Sequence, residues 1–327
     1  AELVRIGADY LRIASWSYLI MGVSWCYLAI MRVTEHAVCS AMVSFGAVVG
    51  NIILNAICIF GFCGVPAMGA NGAAVATVLA RILELAACVL ICTGKTFIPL
   101  RIKTLLTFNF ALFLDFWKYT LPILGSFLLW GVGFTAYTAL MGHMGEDAAA
   151  ANAVAAVVRD LMCCLCNGLA GGAGILIGNE LGAGNLVRGK LYGERTMILS
   201  FITGLANTVL ILASIPLVTL FCSKLTPQAH HYMVGMFVIL SVYMIGRCVC
   251  TVVINGIFSA GGDTLFDVYS LAVCMWGIAL PCAFAGYYLG WHVLLVYACT
   301  CLDEVGKIPW VIWHYRRYKW VKNITRD

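Results

Sequence analysis

Runs of apolar residues long enough to cross a bilayer follow one another along almost the whole chain, and they limit what it can become. Nine are read, at about 13–31, 38–62, 69–93, 119–141, 148–178, 197–221, 234–258, 266–289 and 291–314. A spanning helix needs roughly 20 apolar residues, whereas a barrel strand needs about 10 of alternating character. The expected fold is therefore an all-α membrane protein, a polytopic helical bundle of about nine transmembrane helices. Composition agrees, with 62% hydrophobic and 11% charged residues. The chain opens AELVRIGADY with no basic-then-apolar leader, and its first twelve residues read as interfacial.

The 16 cysteines lie within apolar runs such as MCCLC at 162–166, where a thiol behaves as a small hydrophobe. No histidine stands where it would complete a zinc site with them, so neither a metal nor a cofactor is expected. The net charge of +5 matters less than its distribution. Thirteen of the 20 Lys and Arg fall in alternate connections or the tail: Arg32; Lys95, Arg101, Lys103 and Lys118; Arg188, Lys190 and Arg195; Arg316, Arg317, Lys319, Lys322 and Arg326. The connections between them carry Lys224 and little else. By the positive-inside rule this places a multi-pass protein in the cell membrane with its C-terminus cytoplasmic. HYRRYKWVKN after the last span reads as an interfacial anchor and not as a nucleic-acid site.

The first and last thirds resemble each other in pattern. Gly50 overlies Gly277 and Glu84 overlies Glu304, so that spans 1–3 match spans 7–9 running in the same direction, a parallel repeat of the kind found in transporters. Spans 4–6 have no counterpart ahead of span 1. If the two halves were once equal, three helices are expected upstream of Ala1, and the sequence is read as a fragment.

NIILN, GVPAMGANGAAVATVLAR, GAGILIGNELGAGN and FSAGGDT, the last leading into a helix with LP, together resemble the multidrug and toxic compound extrusion (MATE) transporters over essentially the whole chain. The resemblance implies helices 4–12 of a two-lobed, twelve-helix fold. Residues 1–105 would be the C-terminal half of the N-lobe with a cytoplasmic linker, and 106–327 a complete C-lobe with a short basic tail. It also implies alternating-access export of small organic compounds, cationic ones among them, in exchange for Na+ or H+, with the lipid bilayer as surroundings and no obligate protein partner. A flippase for a lipid-linked or polysaccharide precursor is the alternative; sparse intramembrane basic residues argue against it. An intramembrane enzyme would need a nucleophile with its base, which is not found. The fragment alone could also be inactive, since alternating access needs both lobes.

Polar groups inside the spans are the candidate sites. Asn51 and Asn55, spaced i and i+4, share a helix face and serve either as interhelical hydrogen-bond groups or as hard oxygen ligands for a cation. The resemblance implies the second role, with Thr77 matching a threonine of the same cation site and an acidic partner expected on a helix upstream. Some relatives hold a carboxylate where this chain has Asn55, an amide that takes up no proton near neutral pH, which leans the expectation towards sodium. Glu84 with Arg81, and Glu304 with Lys307, read either as local ion pairs or as members of a functional cavity. Asp160, Arg247, Asp303, Glu304 and Glu84 are the candidates for a substrate or proton cavity, because ionisable groups at such depth face a partner or water. GGAGILIG from Gly171 superficially matches a dinucleotide loop but has no preceding strand, so Gly174 and Gly178 read as a packing surface. Pro122 and Pro281 are expected to kink their spans.

Overall fold

The computed structural model describes residues 2–34, 36–62, 66–93, 110–222 and 225–323. Lys95, Arg101, Lys103, Lys224, Arg326 and the expected boundary after residue 105 lie outside them. The chain forms two compact units, Ala1–Asn109 and Phe110–Asp327. Among the described residues, eight helices are long and apolar enough to cross a membrane.

Unit 1 is a bundle of α1 (Glu2–Val33), α2 (Ala37–Phe60) and α3 (Gly69–Cys92). Gly61, at φ 79°, ends α2 in the left-handed conformation that costs glycine little. The chain then turns so that Gly72 lies directly on the Cys58 carbonyl, where no side chain fits, and α2 and α3 pack as an antiparallel pair. A small core of Leu28, Met31, Val43, Cys88 and Cys92 closes one end.

Unit 2 starts with three long helices, α4 (Phe110–His143), α5 (Glu146–Gly182) and α6 (Leu186–Phe221). Next comes α7 (Pro227–Thr251), started by Thr226, whose hydroxyl accepts from the Ala229 N–H at 3.1 Å while donating to Asp147 at 2.6 Å, with Pro227 in the first turn. The helix continues in π-helical form over Val252–Phe258, so the span runs from Pro227 to Phe258. The following span is α8 (Leu265–Leu271), a π-helical stretch Ala272–Ala279 and α9 (Leu280–Tyr288). Pro281, which has no N–H to give, sits in the first turn of α9 and marks the change of register. Pro122 lies inside α4.

The ninth apolar segment does not form one helix. It divides into α10 (Val293–Thr300), α11 (Leu302–Val305) and α12 (Ile308–Arg316), interrupted around Cys301 and Gly306. This is why eight and not nine long helices are present among the described residues.

The α7 span is the axis of unit 2. Met233, Met236, Phe237, Leu240 and Met244 pack with Ala151 and Ala155 of α5 and Val296 of α10. Towards the other end Val253, Ile257 and Phe258 join Ile177 and Leu181 of α5, Tyr315 of α12 and Trp320. Small residues let these backbones approach: Gly174 of α5 lies against Gly256, as its reading as a packing surface expects, and a Cβ on Gly256 would stand 2.9 Å from the Ala170 carbonyl. Replacing Gly256 by Val is expected to cost about 1–3 kcal/mol as overpacking, read as a lower melting midpoint in detergent. Gly168→Ala, where nothing lies within 4 Å, should leave the midpoint in place.

Candidate functional site

Two polar centres stand out, one in each unit. On α2, the Asn55 side-chain amide donates to the Asn51 carboxamide oxygen at 2.9 Å, so the i, i+4 spacing joins the two residues to each other. Asn55 Oδ1 is left buried without a hydrogen-bond partner among the described residues. Thr77 lies half-buried on α3 and gives its hydroxyl proton to the Ala73 carbonyl at 2.8 Å. Its oxygen retains lone pairs, and the Cys58–Gly72 contact sets Thr77 on the stretch of α3 that runs beside the asparagines. The chemistry available is that of hard, neutral oxygen donors.

Glu84, also on α3, is 4% exposed and pairs with Arg81 at 2.7 Å, the local i, i+3 ion pair that was one reading of the sequence. It borders a largely apolar cavity of about 300 Å³ between α2 and α3, floored by Gly46, Gly50 and Ala80.

The second centre is at the break in the last span of unit 2. Glu304 Oε1 accepts from Arg247 of α7 at 2.5 Å and from Lys307 at 3.3 Å. All three side chains lie inside the bundle, and Lys307 and Glu304 are almost completely buried. One carboxylate thus joins α7 to both sides of the interruption. The π-helical stretch 272–279 packs on α11, the four-residue helix that carries Asp303 and Glu304. The neighbouring Asp303 is 1% exposed, and its Oδ1 has no hydrogen-bond partner among the described residues.

Asp303 lines a cavity of about 80 Å³ enclosed by α4, α5, α7 and α10, with Tyr137, Tyr243, Tyr297, Asn152 and Arg159 among its walls. Tyr137 Oη is a second buried polar atom without a partner there. A volume of this size holds a few water-sized groups, far less than an organic substrate.

The cavity candidates therefore separate. Asp303 faces the cavity. Glu304 and Arg247 stand beside it as the ion pair that supports it. Asp160 does not belong to it: its side chain is 70% exposed and points away, held at 3.0 Å by Arg159. Adjacent positions on a helix project about 100° apart, so Arg159 enters the wall, its guanidinium 4.3 Å above the Phe134 ring, while Asp160 cannot. The tyrosines and Asn152 were not singled out from the sequence, although Tyr297, Thr300 and Asp303 recur every three residues and so trace one polar stripe.

With both centres placed, the comparisons decide the family. A model described as MatE matches residues 122–285, half of the chain. The chain belongs to the MATE family of transporters. It is 26% identical over 321 residues to "Uncharacterized transporter YisQ" of Bacillus subtilis, covering 95% of this chain and 67% of that protein. It is 27% identical over 183 residues to "Probable multidrug resistance protein NorM" of Neisseria meningitidis, covering 55% and 40%. A solved MOP superfamily transporter from Pyrococcus furiosus shares the fold at TM-score 0.85 and 16% identity, covering 98% of this chain and 71% of that one. The Vibrio cholerae MATE transporter VcmN in its bent form does so at 0.76 and 18%, covering 95% and 69%. The chain thus spans about two thirds of YisQ and about seven tenths of these structures.

Glu304 is the shared partner of two cations in unit 2. Removing it strands two cations, whereas Asp303 forms no ion pair among the described residues. Glu304→Gln is expected to cost about 3–5 kcal/mol and to reduce the yield of monodisperse protein in size-exclusion chromatography. Asp303→Asn should remain folded in the same assay.

Proposed function

We propose that this MATE protein is a secondary active exporter of small organic compounds, cations among them, driven across the cell membrane by an opposing flow of Na+ or H+. The observation that carries this reading is Asp303, a carboxylate buried in the membrane-spanning part of unit 2 with one oxygen unpartnered among the described residues, in a small polar cavity. A group of that kind is expensive to keep and characteristic of ion and proton pathways. Its position at an interrupted span supports the same reading, since broken helices form coupling-ion sites in secondary transporters. Asn51, Asn55 and Thr77 offer neutral oxygens for a second cation position in unit 1, which suits sodium better than a proton.

The alternative of a flippase for a lipid-linked or polysaccharide precursor is less well supported. Such a cargo would favour unpaired basic side chains facing a cavity, and Arg159, Arg247 and Lys307, the buried or part-buried basic groups described inside unit 2, are each paired with a carboxylate. The alternation of basic connections favours a cytoplasmic C-terminus, and with that orientation export would run from the end bearing Arg316 and Lys322 to the end bearing Asp147 and His292.

The test is movement of a fluorescent organic cation by the protein reconstituted in proteoliposomes, under an imposed sodium gradient and, separately, a pH gradient. One gradient is expected to drive transport, and Asp303→Asn to reduce the driven component by about tenfold or more, about 1.4 kcal/mol of coupling or above. Asn55→Ala should weaken sodium-driven transport alone. Unchanged transport in Asp303→Asn under both gradients would remove Asp303 from the coupling role.

A further inference from the structure

The chain does not end at its last span but folds back onto the bundle. After α12 the backbone turns through Tyr318, whose φ of 50° is the one positive value at a non-glycine position among the described residues. Trp320 is then completely buried. Its indole lies over Gly193 of α6, its main chain passes over Gly261 of the connection between α7 and α8, and its ring stacks on Tyr315 at 5.8 Å. A side chain at either glycine would occupy the space that the tryptophan fills.

Polar contacts fix the same turn. Tyr318 donates to Glu194 of α6 at 3.0 Å, and Lys190 Nζ lies 4.1 Å from the centre of the Tyr318 ring. His314 pairs with Asp263 at 2.6 Å and stacks on Phe266.

This docking gathers charge. Arg316, Arg317, Lys319 and Lys322 of the tail are exposed, and α6 adds exposed Arg188, Lys190 and Arg195 at the same end. Three acidic residues there are engaged internally: Glu194 by Tyr318 and Lys190, Asp263 by His314, and Glu180 by Asn185 at 3.1 Å. Next to this basic face the membrane-facing side of α6 exposes Leu191, Ile198 and Ile202, and Trp313 lies exposed under the Arg317 guanidinium at 3.6 Å. A basic surface bordered by apolar and tryptophan side chains matches the boundary between phospholipid headgroups and acyl chains.

We propose that this face is a binding site for anionic phospholipid headgroups, formed jointly by the tail and the first turns of α6, and that the bound headgroups keep the tail docked. Charge alone would attract an anionic surface to a loose tail as well. Docking makes the difference, because it sets the tail charges beside those of α6 and links lipid binding to the position of a helix in the transport unit. The inference depends on the chain lying in a bilayer and not on the identity of the cargo or coupling ion.

Hydrogen exchange over residues 314–323, measured on the protein in nanodiscs, tests it. Exchange is expected to slow by about fivefold or more when phosphatidylglycerol is mixed into phosphatidylcholine, the effect of about one basic residue near an anionic surface. The double variant Arg317→Gln, Lys319→Gln should fold normally and lose the lipid effect. Trp320→Ala keeps every charge and should also lose it; Trp320→Phe should retain part of it. Equal exchange in the two lipid compositions would overturn the proposal. So would equal protection by inorganic phosphate or by an RNA oligonucleotide in phosphatidylcholine discs, which would assign the face to a soluble anion, or full lipid protection in Trp320→Ala, which would make docking irrelevant.

Discussion

One carboxylate determines how the last third of this protein is put together. Glu304 receives Arg247 from α7 and Lys307 from beyond the break in the final span, so a single buried anion binds two cations that come from different helices. In a medium where unpaired charge is costly, none of the three can leave alone. The short helix α11 is held at that point, because sliding it along α7 would separate the Arg247–Glu304 pair.

The break has a further consequence for the carboxylate beside it. With Glu304 committed to Arg247 and Lys307, the neighbouring Asp303 is turned to the cavity side, where Tyr137, Tyr243 and Tyr297 provide hydroxyls and aromatic walls. The π-helical stretch 272–279 packs on the same four-residue helix, and a second one continues α7 immediately beyond the site. π-Helical turns widen a helix and are found at functional positions more often than elsewhere. Of the two, the stretch 272–279 lies against the helix that carries Asp303, a buried carboxylate with an oxygen that no described residue satisfies, whereas 252–258 packs with Ile177, Tyr315 and Trp320.

Much of this was legible in the residues. Length and apolarity place the spans, because a bilayer imposes a minimum run that few other environments demand, and the Gly174 surface follows from the need of small residues at close crossings. The i, i+3 spacing of Arg81 with Glu84 and of Glu304 with Lys307 predicts their pairing, since that interval brings side chains together on a helix. Arg247 with Glu304 is different: 57 positions separate them, and no local spacing foretells their contact. Asp160 shows the opposite case. Its charge makes it conspicuous in the sequence, yet its direction is fixed by the rotation of α5, which leaves Arg159 inside and Asp160 outside. Tyr137 and Tyr243 were hidden for a third reason, since a tyrosine in an apolar run is indistinguishable from a packing aromatic until the surroundings of its hydroxyl are seen.

The same distinction between local and tertiary information applies to the two asparagines of α2. Their spacing gives the shared face, and it also gives the hydrogen bond between them, which uses one amide proton and one carbonyl oxygen of the pair. What the spacing leaves undetermined is the remaining oxygen, Asn55 Oδ1, buried without a partner among the described residues. The bond between the two residues lies within α2, so it does not itself join α2 to a neighbouring helix. Each polar centre therefore retains a buried acceptor oxygen, an amide in unit 1 and a carboxylate in unit 2. An amide oxygen is a neutral acceptor that takes up no proton near neutral pH, whereas a carboxylate can be protonated, so the two unpartnered oxygens differ in chemistry.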